Sequence, residues 1–249
     1  MTRLFRISSA ALLATLGLAC AGHTPYDPFL VPQDRIYGTV KTIALSPVLA
    51  PREIAAVNPS RGRFDSLLTA DLRAAGFSIV PADSSLILWT HVTDSLGGMF
   101  DPTTGARDSA KFELARRLTM SALKQRFGAD AWLHPRIVFA PAKFDAGTAT
   151  WDGTKESYQS FGAKFLAAFL GTETYGRTPA LSFWVGLEDL TGRDLYVNQG
   201  GLQLYEKPRG RQFEPIASGE LYADPARNAK AVQLALRALV TRPAPAAPR

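Results

Sequence analysis

The chain has 249 residues, of which 46% are hydrophobic and 20% charged, and its formal net charge is +6. This composition is typical of a globular protein with a real core and excludes a disordered chain. The positive charge is scattered among acidic residues without a long basic run, and no nucleic-acid-binding motif is present, so we expect no nucleic-acid partner.

The N-terminal stretch indicates where the protein resides. Two arginines precede an apolar run over residues 10–19, which is long enough for a secretory signal and too short to span a bilayer. The run ends at Cys20, the sole cysteine of the chain. The sequence Leu16-Gly17-Leu18-Ala19-Cys20 resembles the lipobox of bacterial lipoproteins, with glycine where leucine is usual. The resemblance implies removal of residues 1–19 as a signal peptide and a lipid anchor on Cys20.

A lipidated cysteine has consequences for chemistry and for location. It leaves no thiol for a disulfide within the chain, for a cysteine-based metal site or for a thiol nucleophile. Three acyl chains, at about 0.8 kcal/mol for each buried methylene, anchor a protein stably. Ala21 follows Cys20 where an inner-membrane retention signal has aspartate. By resemblance to this sorting rule, we expect a lipoprotein of the outer membrane that faces the periplasm.

The rest of the chain is interpreted as one domain with a lead-in and a tail. Residues 20–38 contain three prolines and no hydrophobic period, which predicts a flexible tether behind the lipid. Residues 39–242 form the expected single α/β domain. The Pro/Ala-rich residues 243–249 are expected to be disordered.

The first half of the domain alternates strands and helices. A strand, a helix that glycine ends, and a second strand form a βαβ unit with parallel strands. The apolar residues 86–88 fit either a strand or a short helix, and we favour the helix. The expected strands cover residues 40–48, 77–81 and 131–138. The expected helices cover residues 63–75, 84–95 and 109–127.

The second half is expected to be a meander of strands with one closing helix. Thr191-Gly192 indicates a hairpin, and Asp224 before Pro225 indicates a capped helix start. The strands are expected over residues 137–144, 148–158, 180–189 and 194–204. The whole order predicts an α/β (α+β) sandwich, in which an N-terminal βαβαβ half is followed by antiparallel strands and a closing C-terminal helix on a mixed sheet.

This order of elements resembles one group of envelope lipoproteins. The features that carry the resemblance are the strand Val40–Val48, the helix Phe64–Gly76, the segment Gly128–Val138 and the closing helix near 226–240. Curli-secretion lipoproteins and periplasmic activators of penicillin-binding proteins share it. The resemblance implies the fold. Pore formation, as in curli secretion, is not implied, because the strands lack the alternation of lipid-facing residues that a membrane barrel needs.

No catalytic or metal-binding pattern stands out. The three histidines, His23, His91 and His134, lack the spacing of metal ligands, and no nucleophile elbow occurs. We therefore expect no cofactor, no metal and no enzymatic activity. A hydrolase would require His91 or His134 to lie within hydrogen-bond reach of both a hydroxyl and a carboxylate.

Two stretches are candidates for a partner or ligand surface. Trp151 and Asp152 fit either a turn with a packed aromatic residue or an exposed anchor for a ligand. Phe161, Phe165 and Phe169 recur every four residues, which fits either a core helix or an amphipathic surface that contacts a membrane or a partner.

These observations lead to a functional expectation with two alternatives. We expect a lipid-anchored, non-catalytic periplasmic protein that acts by protein contact, as a scaffold or accessory factor in envelope assembly or secretion, with an envelope protein or a second copy as its partner. The first alternative is a small-ligand or glycan-binding lipoprotein, and the second is a hydrolase. An aromatic cleft with convergent polar groups would favour ligand binding, whereas a flat apolar patch would favour protein contact.

Overall fold

A computed structural model describes five stretches of the chain, residues 26–54, 60–145, 148–157, 175–209 and 212–242. The expected signal peptide and tail lie outside these stretches. So do four of the site residues named above, Cys20, Phe161, Phe165 and Phe169.

The described residues form five helices and nine strands. The helices are α1 (Gln33–Thr39), α2 (Arg61–Ala74), α3 (Ala82–Ser95), α4 (Ser109–Phe127) and α5 (Pro225–Val240). The strands are β1 (Thr42–Leu45), β2 (Ser78–Val80), β3 (Ala131–Asp145), β4 (Thr148–Trp151), β5 (Thr154–Ser157), β6 (Tyr175–Asp189), β7 (Asp194–Leu204), β8 (Glu206–Arg209) and β9 (Gln212–Pro215).

Seven strands form one mixed sheet with helices on both faces. β1 lies between β2 and β3 and is parallel to both, and β3, β6 and β7 follow as antiparallel neighbours. The β4–β5 hairpin extends the far end of β3. Helix α2 connects β1 to β2, and α3 and α4 connect β2 to β3. The expected fold class, an α/β sandwich with a closing C-terminal helix on a mixed sheet, is confirmed.

Alternation along the strands assigns the two faces. Ile43 and Leu133 belong to the large core under α2 and α5, whereas Ala44 and Trp132 belong to a smaller core under α3 and α4. A strand that is covered by helices on both faces has a nearly continuous run of apolar residues, which explains the pattern of residues 42–45. The even-numbered residues within 132–136 of β3 and 184–188 of β6 therefore face the α3/α4 side.

Local signals set the bounds of the two longest helices. The side chain of Asp108 accepts a hydrogen bond from the backbone nitrogen of Lys111 at 2.9 Å, which caps α4, and Gly128 ends it in a left-handed conformation with φ of 64°. Asp224 caps α5 in the same way, with Pro225 at its first position. Segment 84–95 lies within helix α3, as favoured from the sequence.

The tether prediction is wrong for residues 26–38, which pack against the domain. The backbone of Val197 on β7 donates to the carbonyl of Pro28 at 2.9 Å, and Leu30 donates to Leu195 at 2.9 Å. Helix α1 follows and buries Ile36 completely. The segment pairs with the edge of β7 that faces away from β6. Its prolines do not prevent this pairing, because prolines are tolerated at a sheet edge.

Strand β3 runs through two prolines, where two separate strands were expected. The carbonyl of Pro135 accepts from Leu49, so the proline nitrogen points to the same side, away from β6. Pro141 is six residues further on and points the same way. Neither proline interrupts the ladder to β6, which continues over the full length of β3.

One strand was expected over residues 148–158, but the described part, residues 148–157, is a hairpin. Asp152 and Gly153 form its turn with φ of 39° and 75°. Asp-Gly is a strong signal for a turn of this kind, because both central residues need positive φ.

Among the described residues, no helix combines the length and apolar character needed to cross a membrane.

Candidate functional site

A cleft of about 550 Å³ lies on the α3/α4 face of the sheet. Its floor is built from three pairs of neighbours across β3 and β6, because α3 and α4 cover the sheet only in part. These pairs are Trp132 with Glu188, His134 with Gly186, and Arg136 with Trp184.

Aromatic side chains form one wall of the cleft. The ring of Trp89 on α3 lies 5.5 Å from that of Phe112 on α4 and 6.3 Å from that of Trp132, between ring centroids. The rings of Trp132 and His134 are 4.5 Å apart. Such a wall offers flat apolar surfaces against which the ring of a ligand can pack.

The ring of Trp184 lies along its own strand, β6, over Gly186. A Cβ atom placed on Gly186 would lie 2.4 Å from the Trp184 ring, so this ring occupies the space that any other residue would fill. The guanidinium of Arg136 is 5.2 Å from the centre of the same ring. Gly186 thus lets the indole lie along the sheet, where it forms a platform with a donor group beside it.

A chain of hydrogen bonds crosses the floor of the cleft. The hydroxyl of Ser46, just after β1, lies 3.0 Å from Nδ1 of His134, and Nε2 of His134 lies 2.7 Å from Oε1 of Glu188. A tautomer with the proton on Nε2 accepts from Ser46 and donates to Glu188, which satisfies both contacts. The other oxygen of Glu188 pairs with Arg116 on α4.

Arg116 compensates a buried carboxylate. The side chain of Glu188 is 8% exposed, and a charge at that depth requires a partner. Burial lowers the pKa of Arg116, but the charges and hydrogen bonds of Glu188 and Glu113 outweigh burial and raise that pKa above its usual value. The guanidinium therefore stays charged and links α4 to the sheet.

Two polar groups in the wall of the cleft have no hydrogen-bond partner among the described residues. They are the indole N–H of Trp132, a residue 5% exposed, and the hydroxyl of Ser85, a residue 1% exposed. A buried polar group left unpaired costs about 1–3 kcal/mol. Both residues line the cleft, but the two unpaired atoms themselves lie beneath its surface.

The residues chosen from the sequence lie elsewhere. Trp151 is 6% exposed and its indole N–H donates to the carbonyl of Leu181 at 3.1 Å, so it cannot serve as an exposed anchor. The carboxylate of Asp152 accepts hydrogen bonds from Ser182 and Gln199 at the hairpin turn. The structure brings Trp151 and Asp152 together as a packed hairpin end, outside the cleft.

Sequence reasoning missed most of the cleft. A usable signal was present, because Trp132, His134 and Arg136 alternate with apolar residues along β3, as do Trp184 and Glu188 along β6. His134 was named and lies in the floor, whereas His91 is exposed on α3. Among the described residues, no group of three or more histidine, cysteine or acidic residues is placed to hold a metal.

Comparisons of the chain with protein families, with curated proteins and with solved structures find no match. A function therefore has to be argued from the chemistry of the cleft.

Proposed function

We propose that the protein is a lipid-anchored, periplasm-facing lipoprotein that binds a small saccharide in the cleft beside Trp184. The single observation that carries this proposal is the Trp184 platform with Arg136 beside it, in an aromatic cleft that His134 and Ser46 also line. A sugar ring has an apolar C–H face that packs on an aromatic ring, and its hydroxyl and carbonyl oxygens accept hydrogen bonds. The arginine side chains of the cleft add further donors.

The alternative of action by protein contact has less support. Its sequence basis is the repeat of Phe161, Phe165 and Phe169, and these residues lie outside the described part of the chain. The cleft meets the criterion set above for ligand binding, namely aromatic walls with convergent polar side chains.

The proposed lipid anchor would keep the cleft close to the membrane. Cys20 precedes Tyr26, the first described residue, by only six positions. Six residues span at most about 20 Å when fully extended. Because residues 26–39 pack on the domain, the slack between lipid and domain would be short.

Calorimetric titration tests the binding proposal. The protein is the mature chain with Cys20→Ser, which removes the lipidation site, and the probes are cellobiose and diacetylchitobiose. We expect Arg136→Ala, which removes the donor beside the Trp184 ring, to lower affinity about 5- to 10-fold, as the loss of about 1 kcal/mol implies. Trp184→Ala is expected to lower it at least about 10-fold.

The matched control is Phe139→Ala, an exposed aromatic residue of β3 outside the cleft. It should leave affinity unchanged. Absence of binding by both disaccharides, or equal losses in the control and in the cleft variants, would overturn the proposal.

Hydrolysis of an ester is the second candidate, favoured by the order Ser46, His134, Glu188. In such a reaction the Ser46 oxygen attacks the carbonyl carbon, Nδ1 of His134 takes the hydroxyl proton and then gives it to the departing alkoxide, and water releases the acyl group. Two features weigh against it. Glu188 is shared with Arg116, and Pro47 after Ser46 has no N–H for an oxyanion. Labelling by a fluorophosphonate probe that Ser46→Ala abolishes would support it, and an unlabelled wild type would exclude it.

A further inference from the structure

A second cavity of about 840 Å³ adjoins the cleft. It is a groove between the edge of β7, helix α5 and the turn of the β4–β5 hairpin. Trp184 lines both cavities, so its indole is a shared wall. From this shared wall we infer that the ligand is a linear oligosaccharide, which rests on the proposed saccharide site and extends from the cleft across Trp184 into the groove.

The edge of β7 explains why a peptide strand is not the occupant. The backbone N–H of Val197 already donates to Pro28, and that of Gly201 donates to Asp152, both at 2.9 Å. Between these two hydrogen bonds, Gln199 is the one residue of β7 whose backbone groups point away from β6. A peptide that joins a sheet needs a longer run of open backbone groups, so recognition in the groove must come from side chains.

The side chains of the groove suit hydroxyl groups. Nε2 of Gln199 donates to Oδ1 of Asp152 at 2.9 Å, and the hydroxyl of Ser182 donates to Oδ2 at 2.5 Å. Each carboxylate oxygen has a further lone pair, and a primary amide has two hydrogens and a carbonyl oxygen. The pair of Asp152 and Gln199 can therefore accept from and donate to neighbouring hydroxyls.

The charge of the groove indicates a neutral ligand. Among the described residues that line the groove, Asp152 is the one acidic residue and Arg237 on α5 is the one basic residue. These charges balance, which suits a neutral chain better than a polyanion. Tyr26 and Phe29 add aromatic surface on the far side of the groove.

The length of the ligand is the quantity that tests this inference. Calorimetry is performed with cello-oligosaccharides and chito-oligosaccharides of two to six units on the mature Cys20→Ser chain. We expect affinity to rise about tenfold or more beyond the disaccharide and then to level off, because added units gain contacts only until the groove is filled.

Variants in the groove distinguish it from the cleft. Gln199→Ala and Arg237→Ala should lower affinity for the long oligosaccharides at least threefold and leave the disaccharide unaffected. Trp184→Ala should weaken both. The controls are Gln125→Ala and Arg117→Ala, which replace exposed side chains of α4 that line neither cavity. Arg237→Ala alters the groove without touching the hairpin turn, so the test does not depend on a variant that also disturbs Asp152.

The outcomes separate this inference from the proposed function. Binding of disaccharides with no gain from length, or equal loss at every length in the groove variants, would overturn the inference and leave the saccharide cleft standing. Failure of every disaccharide to bind would overturn the proposed function itself. Binding of tetraalanine, with no gain from longer saccharides, would assign the groove to a peptide and also overturn the inference.

Discussion

The ring of Trp184 occupies the position that a side chain on Gly186 would take, since a Cβ there would lie 2.4 Å from the indole. The contact partner is the end of a side chain, which can move. Gly186→Ala should therefore displace the indole at a cost of about 1 kcal/mol and lower disaccharide affinity about as much as Trp184→Ala does. Urea unfolding and calorimetry together check both parts.

Gly200 provides the contrasting variant. A Cβ there would lie 2.2 Å from the backbone oxygen of Ala231 on α5, which cannot move without shifting the helix. Gly200→Ala should destabilise the fold by at least about 2 kcal/mol. Equal unfolding free energies for the two variants would contradict this account of why each glycine is present.

The ion pair of Arg116 and Glu188 predicts an asymmetry between two substitutions. Arg116→Ala leaves a carboxylate that is 8% exposed with only His134 beside it, whereas Glu188→Gln leaves a guanidinium that is 27% exposed and can reach water. Arg116→Ala should therefore cost more stability, about 2 kcal/mol after allowance for partial exposure. Urea unfolding at pH 7 measures both, and a larger loss for Glu188→Gln would contradict the assignment.

Asp65 predicts a pH dependence of stability. Burial, and to a lesser extent Asp83, raise the pKa of Asp65 from 3.8 to about 6 against the opposing effect of Arg61. The folded state therefore holds a proton that the unfolded state releases, and stability falls as pH rises from about 4 to 6. Asp65→Asn should stabilise the protein at pH 7 by about 1–2 kcal/mol, discounted for partial exposure, and by nothing below pH 4.

The control for this titration is Asp94→Asn, on the exposed side of α3. It should not change the slope of stability against pH. A stability difference between wild type and Asp65→Asn that is constant from pH 4 to 7 would contradict the assignment of the slope to Asp65.

Ile36 tests whether residues before 39 belong to the domain. Its side chain is completely buried in the main core, although the sequence placed it in a tether. Ile36→Ala should cost about 2–5 kcal/mol in urea unfolding, as is usual for a large side chain removed from a core. A tether would predict no change, and Leu30→Ala, at an exposed position of the same segment, gives the comparison.

The sequence predicts the elements well where local chemistry decides them. Helix α4 has the expected bounds because Asp108 and Gly128 are local signals for its two ends. Strand β3 does not have the expected bounds. Whether it tolerates Pro135 depends on which neighbouring strand the proline nitrogen faces. That is a property of the sheet and is absent from any local pattern.

The cleft depends on even more distant relationships. Ser46, Arg116 and Glu188 belong to three elements far apart in the chain, and only the register of β3 against β6 brings them to His134. Trp151 fitted either a packed turn residue or an exposed anchor, because the burial of a tryptophan depends on the packing of its hairpin, which residue type alone does not determine.

The most direct test of the central claim is the indole N–H spectrum of the 15N-tryptophan-labelled protein during titration with diacetylchitobiose. The chain has four tryptophans, and each contributes one indole signal. We predict that the signals of Trp132 and Trp184 shift, while that of Trp151, already bonded to Leu181, stays in place. Four unmoved signals, or a shift of Trp151 as large as that of Trp132, would contradict saccharide binding in this cleft.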